Sequence, residues 1–177
     1  MTRLVSLHRR RFLTTAAWVA AASLAGATPR VRAAPPVAHA ATGTRAIPST
    51  GEPLPAIGLG TWITFNVGAD PVLRDARTEV LRNFFLAGGG MIDSSPMYGS
   101  SQAVVGHGLA ALDRPEGLFS ADKVWTRSGT SGPRQIEDSR RNWGVSRFDL
   151  LQVHNLLAWE SHLQTLKAMK AEGGLRY

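Results

Sequence analysis

The amino-acid sequence predicts an α/β protein in which β-strands and α-helices alternate around a parallel sheet. Short apolar segments suited to buried strands alternate four times with longer segments whose apolar residues recur at helical spacing. Glycine pairs and triplets, such as Gly88–Gly90 and Gly173-Gly174, separate these segments. Strands joined through helices pair in parallel with right-handed crossovers, so an open doubly wound sheet and a β/α barrel both fit the pattern.

Four strands are predicted after residue 55, and a short hairpin is predicted before them. The hairpin is Ala46–Pro55, where a Ser-Thr-Gly turn stands between prolines. The predicted strands are residues 56–62, 91–93, a segment within 117–126, and 148–155, with a fifth beginning at Leu175. No Gly-x-Gly-x-x-Gly follows the first strand, which disfavours a Rossmann nucleotide site.

Four helices are predicted between and after these strands. Asp70-Pro71 marks the first start, because aspartate accepts from free N–H groups and proline fits the first turn. Along this helix an apolar residue recurs every four positions, which predicts a buried stripe made of Val72, Ala76, Val80 and Phe84. The other helices are predicted over residues 102–112, 132–144 and 159–171.

Positive charge is concentrated at the start of the chain. Residues 1–40 hold six arginines and no acidic residue, whereas residues 41–177 have fourteen basic against thirteen acidic residues. The folded part is therefore nearly neutral, and nucleic acid is not a predicted partner. The chain has no cysteine, so disulfides, thiolate metal sites and a cysteine nucleophile are excluded.

The first 40 residues predict an export signal and a linker. Arg9-Arg10, one further residue and Phe12-Leu13 precede a mildly apolar, alanine-rich run, a pattern that resembles the twin-arginine signal. An ordinary signal peptide or a basic tail is the alternative. The predicted partner of this segment is the twin-arginine export machinery, and the predicted location is periplasmic or extracytoplasmic. No apolar run reaches the roughly 20 residues of a membrane-spanning helix.

Four polar side chains near the predicted strand ends form the candidate site. Asp93 ends the second strand, Tyr98 follows in the next loop, Lys123 lies in the third strand and His154 closes the fourth. A lysine cation helps a tyrosine, with its reference pKa of about 10, to donate a proton, and a carboxylate keeps that lysine charged. A histidine can orient a carbonyl oxygen by hydrogen bonding. The combination is suited to carbonyl reduction.

Each of these residues also has a structural alternative. Asp93 is equally suited to capping a turn, Tyr98 to packing, Lys123 to a strand edge, and His154 to a hydrogen bond at the end of a strand. The remaining histidines are assigned structural or surface positions. No second histidine stands at ligand spacing from His154, so no metal site is predicted.

Four ordered segments resemble the aldo-keto reductases. They are residues 57–62, 92–99, 122–126 and 149–155, and the resemblance covers about residues 45–177. It implies a (β/α)8 TIM barrel, represented by about its first four βα units and the hairpin. It also implies NADPH, or less often NADH, as cofactor and an aldehyde or ketone as small-molecule substrate.

By motif match, the resemblance implies a role for each candidate residue. Tyr98 would be the proton donor, Lys123 the cation that lowers its pKa, Asp93 the partner of that lysine, and His154 the residue that orients the carbonyl. The cofactor would lie against Asp93 and two residues at the end of the first strand, Gly60 and Thr61. The substrate pocket would be walled by Trp62 and Trp125. Ser94-Ser95 replaces the commoner Thr-Ala of the second segment.

The length of the chain supports a second hypothesis, a truncated and non-catalytic half-barrel. A full barrel takes about 250 residues, whereas about 137 follow the leader. In the family, later strands hold the nicotinamide amide, and a late loop and helix hold the adenosine phosphate. We therefore expect the 177-residue chain alone to bind NADPH poorly and to turn over slowly or not at all. A hydrolase is disfavoured, because no Gly-x-Ser-x-Gly segment is present.

Overall fold

The computed structural model describes residues 43–177. The export leader and linker predicted for residues 1–40 lie outside the described residues and stay a prediction. In chain order the strands are β1 Thr44–Ala46, β2 Pro53–Pro55, β3 Leu59–Gly60, β4 Met91–Asp93, β5 Phe119–Val124 and β6 Leu150–Val153. The helices are α1 Pro71–Leu86, α2 Ser101–Ala111, α3 Gly132–Trp143 and α4 Trp159–Ala171. None of the helices in this range combines the length and apolarity that crossing a bilayer requires.

The main sheet has four parallel strands in the order β3-β4-β5-β6. Each strand pairs with the next one in the sequence, and a helix connects each pair, which is the arrangement of successive units in a β/α barrel. Leu175 bridges to Phe148 in parallel, and the Tyr177 N–H donates to the Asp149 carbonyl at 2.8 Å, so the predicted fifth strand begins beside β6. The described residues thus form part of a barrel.

Two predicted strands are shorter in the structure. The first was expected over residues 56–62, but only Leu59 and Gly60 are in β3. The fourth was expected to reach Asn155, but β6 ends at Val153 because His154 opens a 3-10 turn, His154–Leu156. Both differences lie at strand ends, where a loop leaves the sheet.

The predicted buried stripe of α1 is wrong. Val72 and Val80 are 74% and 44% exposed, whereas Thr78 and Leu81 are buried. The physical reason is geometric: a helix advances 100° per residue, so a strict spacing of four residues drifts by about 40° at each step. The row therefore starts on the solvent side and reaches the packed face only at Phe84, which is half-buried against the core.

One apolar core lies between the sheet and the helices. Ile92 of β4 and Val124 of β5 are fully buried at the centre of the sheet, where helix residues cover them. Gly106 of α2 allows close packing with α3, because a Cβ at this position would clash with the Asn142 carbonyl. The buried residues of this core cluster are Phe65, Leu81, Ile92, Val104, Val105, Leu109, Val124, Ile136, Trp143, Phe148, Leu151, Leu166 and Leu175.

Local sequence signals define the ends of the helices. The Asp70 carboxylate accepts from the Leu73 N–H at 3.0 Å and caps the start of α1 as predicted. Gly144 follows α3 with φ 67°, a left-handed conformation that glycine adopts without steric cost. The bounds of α3 and α4 consequently agree with those predicted from the sequence.

The β1–β2 hairpin packs against the amino-terminal ends of the strands. Arg176 connects it to the sheet by pairing with Glu52 of the hairpin turn and with Asp149, whose Oδ1 lies 2.6 Å from Nη1. Hydrogen bonds from Arg176 and Tyr177 lower the pKa of Glu52. The predicted hairpin is confirmed, and the carboxyl ends of the strands are left to form the candidate site.

Candidate active site

The four candidate residues meet at the carboxyl ends of β4, β5 and β6. Asp93 is the last residue of β4 and pairs with Ala121 of β5. Lys123 is two residues beyond Ala121 and therefore on the same face of the strand. His154 follows the last residue of β6 directly. Parallel pairing thus brings together side chains that are up to 61 positions apart in the sequence, from Asp93 to His154.

Asp93 and Lys123 form a close ion pair. The Lys123 ammonium nitrogen lies 2.6 Å from each carboxylate oxygen of Asp93 and 2.9 Å from the Ser94 carbonyl oxygen. These three acceptors match the three N–H donors of an ammonium group. The lysine side chain is only 12% exposed, against 32% for the aspartate. Lys123 is therefore a cation held in one place near the carboxyl end of the central strand β5.

Tyr98 lies beside this cation. The Lys123 ammonium nitrogen is 5.3 Å from the centre of the tyrosine ring. Tyr98 ends the 3-10 turn Pro96–Tyr98, and Gly99 leaves the turn with φ 60°. A Cβ at Gly99 would clash with the Asn66 amide, so glycine is required there. Among the described residues the Tyr98 hydroxyl has no hydrogen-bond partner, which leaves it available to a ligand.

His154 packs edge-on against Tyr98. Their ring centres are 5.6 Å apart and their planes are inclined at 87°. Nδ1 of the imidazole lies 2.6 Å from the hydroxyl oxygen of Ser95. Burial lowers the pKa of His154, the Lys123 ammonium lowers it further, and the Asp93 carboxylate opposes this. The imidazole is consequently neutral at pH 7.

The turn that carries His154 has an unusual backbone. Asn155, Leu156 and Ala158 have φ values of 55°, 54° and 49°, in the left-handed region that disfavours residues with a Cβ. Such conformations cluster at functional sites, where the surrounding structure holds them. Nothing in the residue types other than Asn155 signals this backbone, so the sequence did not predict it.

A buried polar cluster lies on the opposite face of β5. Asp122 is fully buried; it accepts from the Lys123 backbone N–H at 2.7 Å and from the Gln102 amide at 2.8 Å. The same amide nitrogen lies 2.9 Å from the Ser139 hydroxyl. Burial raises the pKa of Asp122 to about 7, and these hydrogen bonds only partly offset it. The cluster supports the strand segment that carries Lys123.

Ser95 and Asp122 are the residues that the sequence analysis passed over. In the sequence, Ser95 is one of two serines in place of Thr-Ala, and Asp122 begins the third of the four matched segments. The signal for Asp122 is a carboxylate inside a predicted strand, since buried charges are rare without a partner. No signal in the sequence connects Ser95 with His154, which is 59 positions away.

Removing the Asp93–Lys123 pair tests its coupling without any assay of activity. In a double-mutant cycle with Asp93→Asn and Lys123→Met, we expect a coupling energy of about 1 kcal/mol or more, because both side chains are partly buried. Urea unfolding followed by circular dichroism gives the four free energies. The exposed Glu79–Arg82 pair, with nitrogen and oxygen 3.1 Å apart, is the control and should give less than about 0.5 kcal/mol. Equal coupling in the two cycles would contradict the proposed rigidity of the first pair.

Comparison with protein-family models assigns most of the chain to a known family. Residues 56–177 match the model of the Aldo/keto reductase family. The chain belongs to this family.

Individual aldo/keto reductases agree with this assignment. The chain is 30% identical over 127 residues to methylglyoxal reductase YeaE of Escherichia coli strain K12, covering 70% of this chain and 44% of that protein. A Klebsiella pneumoniae aldo-keto reductase solved with NADPH shares 25% identity and a TM-score of 0.63, over 77% of this chain and 48% of that one. The thermostable aldo-keto reductase Tm1743, solved with the inhibitor epalrestat, has 25% identity and a TM-score of 0.65, over 76% of this chain and 52% of that one. The chain spans about half the length of these relatives, which are TIM barrels.

Gly60 lies beside Asp93 at the carboxyl ends of β3 and β4. Gly60 is exposed, and a Cβ added to it would meet no atom within 4 Å, so the end of β3 beside Asp93 is open. Thr61 is also predicted to lie against the cofactor, and this stays a prediction. It is fully buried, and its hydroxyl donates to the Asp93 carbonyl oxygen at 2.9 Å. Thr61 therefore connects the carboxyl ends of β3 and β4 from a buried position.

Two tryptophans lie at the mouth of the site, where a substrate wall was predicted. Trp62 is 61% exposed, with its ring centre 6.5 Å from that of Tyr98. Trp125 follows β5 and lines a cavity of about 480 Å3 beside the turn after β6. The other residues lining this cavity are Thr126, Arg127, Asn155 and Leu157. Tyr98 does not line this cavity, and the assignment of the two tryptophans to a substrate pocket stays a prediction.

Proposed function

We propose that this chain supplies the acid–base site of an NAD(P)H-dependent reductase that converts an aldehyde or ketone to an alcohol. The observation that carries the proposal is the position of Tyr98. Its hydroxyl has no hydrogen-bond partner among residues 43–177, and its ring is flanked by the Lys123 ammonium and the His154 imidazole. The family match and the NADPH complex of a relative support a nicotinamide cofactor. When bound, a reduced nicotinamide supplies hydride to the carbonyl carbon.

The protein residues supply the proton and stabilise the charge that develops. The Tyr98 hydroxyl donates its proton to the carbonyl oxygen, which leaves a phenolate on the tyrosine. The Lys123 ammonium, 5.3 Å from the ring centre, stabilises that phenolate electrostatically. Asp93 holds the ammonium in place through both carboxylate oxygens. His154 offers a neutral imidazole that can hydrogen-bond the same carbonyl oxygen before the proton moves.

The proposal is tested by nicotinamide oxidation with a simple aromatic aldehyde. Both NADPH and NADH are offered, and loss of reduced nicotinamide is followed with and without the aldehyde. If the reading frame continues beyond Tyr177, the longer protein is assayed beside the 177-residue chain. We expect oxidation that depends on the aldehyde in the longer protein, and at least tenfold slower oxidation by the 177-residue chain. An absence of aldehyde-dependent oxidation across several aldehydes and ketones in both proteins would contradict the proposed activity.

A second candidate is a non-catalytic half-barrel, and the partial coverage of the relatives favours it. The chain covers 44% of its curated relative and about half of the solved structures. In this candidate the acid–base residues are present, but the contacts that hold the nicotinamide amide and the adenosine phosphate are not. Equilibrium binding of NADPH to both forms of the protein separates the two functions, because a reductase would bind it in the longer form, whereas a non-catalytic half-barrel would bind it in neither. Robust turnover by the isolated 177-residue chain would exclude this candidate.

A further inference from the structure

Ser95 connects two candidate catalytic groups across the site. It is fully buried in the loop that joins Asp93 to Tyr98, and its hydroxyl oxygen lies 2.6 Å from Nδ1 of His154. The two residues leave β4 and β6, which do not pair with each other because β5 lies between them. The hydrogen bond thus spans the strand end that carries Lys123, and it is the one described contact that orients the His154 ring through a polar atom.

The direction of this hydrogen bond follows from the partners of the Ser95 hydroxyl. That oxygen already accepts from the Met97 backbone N–H at 3.2 Å. Among residues 43–177, Nδ1 of His154 is the one remaining atom placed to accept the hydroxyl proton. A buried O–H without an acceptor costs about 1–3 kcal/mol. The low-energy arrangement therefore has the serine donating to Nδ1.

An Nδ1 atom that accepts cannot carry the imidazole proton. In a neutral ring that proton is then on Nε2, and burial and the nearby Lys123 ammonium favour the neutral ring. Within the described part of the chain, Nε2 has no hydrogen-bond partner. The arrangement leaves one N–H donor free on the ring that packs edge-on against Tyr98.

We propose that Ser95 is a positioning residue that fixes His154 as its Nε2–H tautomer, with the free N–H available to the carbonyl oxygen of the substrate. The use of that N–H rests on the proposed reductase function, whereas the tautomer itself does not. The serine would act only through the histidine. Its loss would free both the orientation and the tautomer of the ring.

The tautomer can be measured directly by 15N NMR of the full 177-residue chain labelled at histidine. Each neutral tautomer has a distinct pair of imidazole 15N shifts, and a one-bond N–H coupling marks the protonated nitrogen. The His154→Gln variant identifies the resonances of residue 154. We expect the wild-type chain to show protonated Nε2 and unprotonated Nδ1 at pH 8. Protonated Nδ1 in the wild type would overturn the proposal without any variant having to fold.

Two variants separate positioning from general packing. Ser95→Ala removes the donor, so we expect the shifts of His154 to move to values averaged between the two tautomers. Ser94→Ala is the matched control: Ser94 is also fully buried, but its hydroxyl lies 2.9 Å from Thr61 and does not contact the histidine. The control should keep the wild-type shifts. A single Nε2–H tautomer that survives in Ser95→Ala would contradict the role of Ser95.

In a form of this protein that reduces an aldehyde, the Ser95→Ala variant also gives a kinetic readout. Loss of one orienting hydrogen bond should lower kcat about three- to tenfold, with the KM for the nicotinamide unchanged. If the KM for the nicotinamide rose by a larger factor than kcat fell, this result would argue against a role of Ser95 through His154. If no form of the protein reduces a carbonyl compound, the proposed function fails, while the NMR result on Ser95 still stands or falls by itself.

Discussion

Replacing Tyr98 with phenylalanine is expected to lower kcat for carbonyl reduction by about 10²- to 10⁴-fold, the usual contribution of a positioned general acid. The substitution removes one oxygen atom and keeps the ring that packs against His154 and Trp62. The nicotinamide affinity should therefore stay within about twofold of the wild type. The measurement is steady-state kinetics with an aldehyde, together with fluorescence titration of the cofactor, in the form of the protein that is active.

Tyr177 provides the matched control for this substitution. It is the second tyrosine of the chain, and its hydroxyl lies 2.7 Å from Glu52 at the opposite end of the sheet. Tyr177→Phe removes the same oxygen atom from a position away from the candidate site, so kcat should be unchanged. If Tyr98→Phe turned over as fast as Tyr177→Phe, Tyr98 would lose its assigned role as proton donor.

Replacing Asp122 with asparagine is expected to remove most of a pH dependence from the stability of the fold. The carboxyl pKa is raised by burial from 3.8 to about 7 in the folded chain. Between these two values the folded state binds more protons than the unfolded state, so the free energy of unfolding falls as pH rises. The contribution of this group is complete below about pH 4 and is lost by pH 7. Each unit of pKa difference corresponds to about 1.4 kcal/mol.

An asparagine keeps the neutral form at every pH and can keep the hydrogen bonds. Its carbonyl oxygen can accept from the Lys123 N–H, and a Gln102 amide turned over can accept from its NH2 group if the Asn142 amide, which donates to the Gln102 oxygen at 3.3 Å, turns over as well. We therefore expect Asp122→Asn to be more stable than the wild type by a few kcal/mol at pH 8 and similar to it at pH 4. Urea unfolding at four pH values between 4 and 8 measures this.

An exposed aspartate of α3 controls for the loss of a negative charge. Asp138 of α3 is 54% exposed and pairs with Arg141 at the surface. Asp138→Asn should follow the wild-type pH profile, because exposed ion pairs contribute little. A wild-type slope retained in Asp122→Asn would show that another group carries the pH dependence.

Local signals were enough to predict most of the secondary structure. Asp70 and Gly144 make hydrogen bonds to residues close to them in the sequence. The start of α1 and the end of α3 could therefore be predicted without knowledge of the fold. Strand ends were less predictable. The extent of β3 depends on how far β4 runs beside it, and its pairing covers only two residues. The buried face of α1 also depends on the tertiary structure, because it is the side of the helix that packs against the core.

The sequence by itself determined the strand–helix order and the residues at the strand ends that form the candidate site. Asp93, Lys123 and His154 could be predicted to meet, because parallel strands bring their carboxyl ends to the same edge. Only the tertiary structure decided the hydrogen bond from Ser95 to His154 and the burial of Asp122 beneath Gln102. Both depend on which side chains face each other across strands and helices that are far apart in the chain. That information lies in the packing, because neither residue has a neighbour in the sequence that signals its partner.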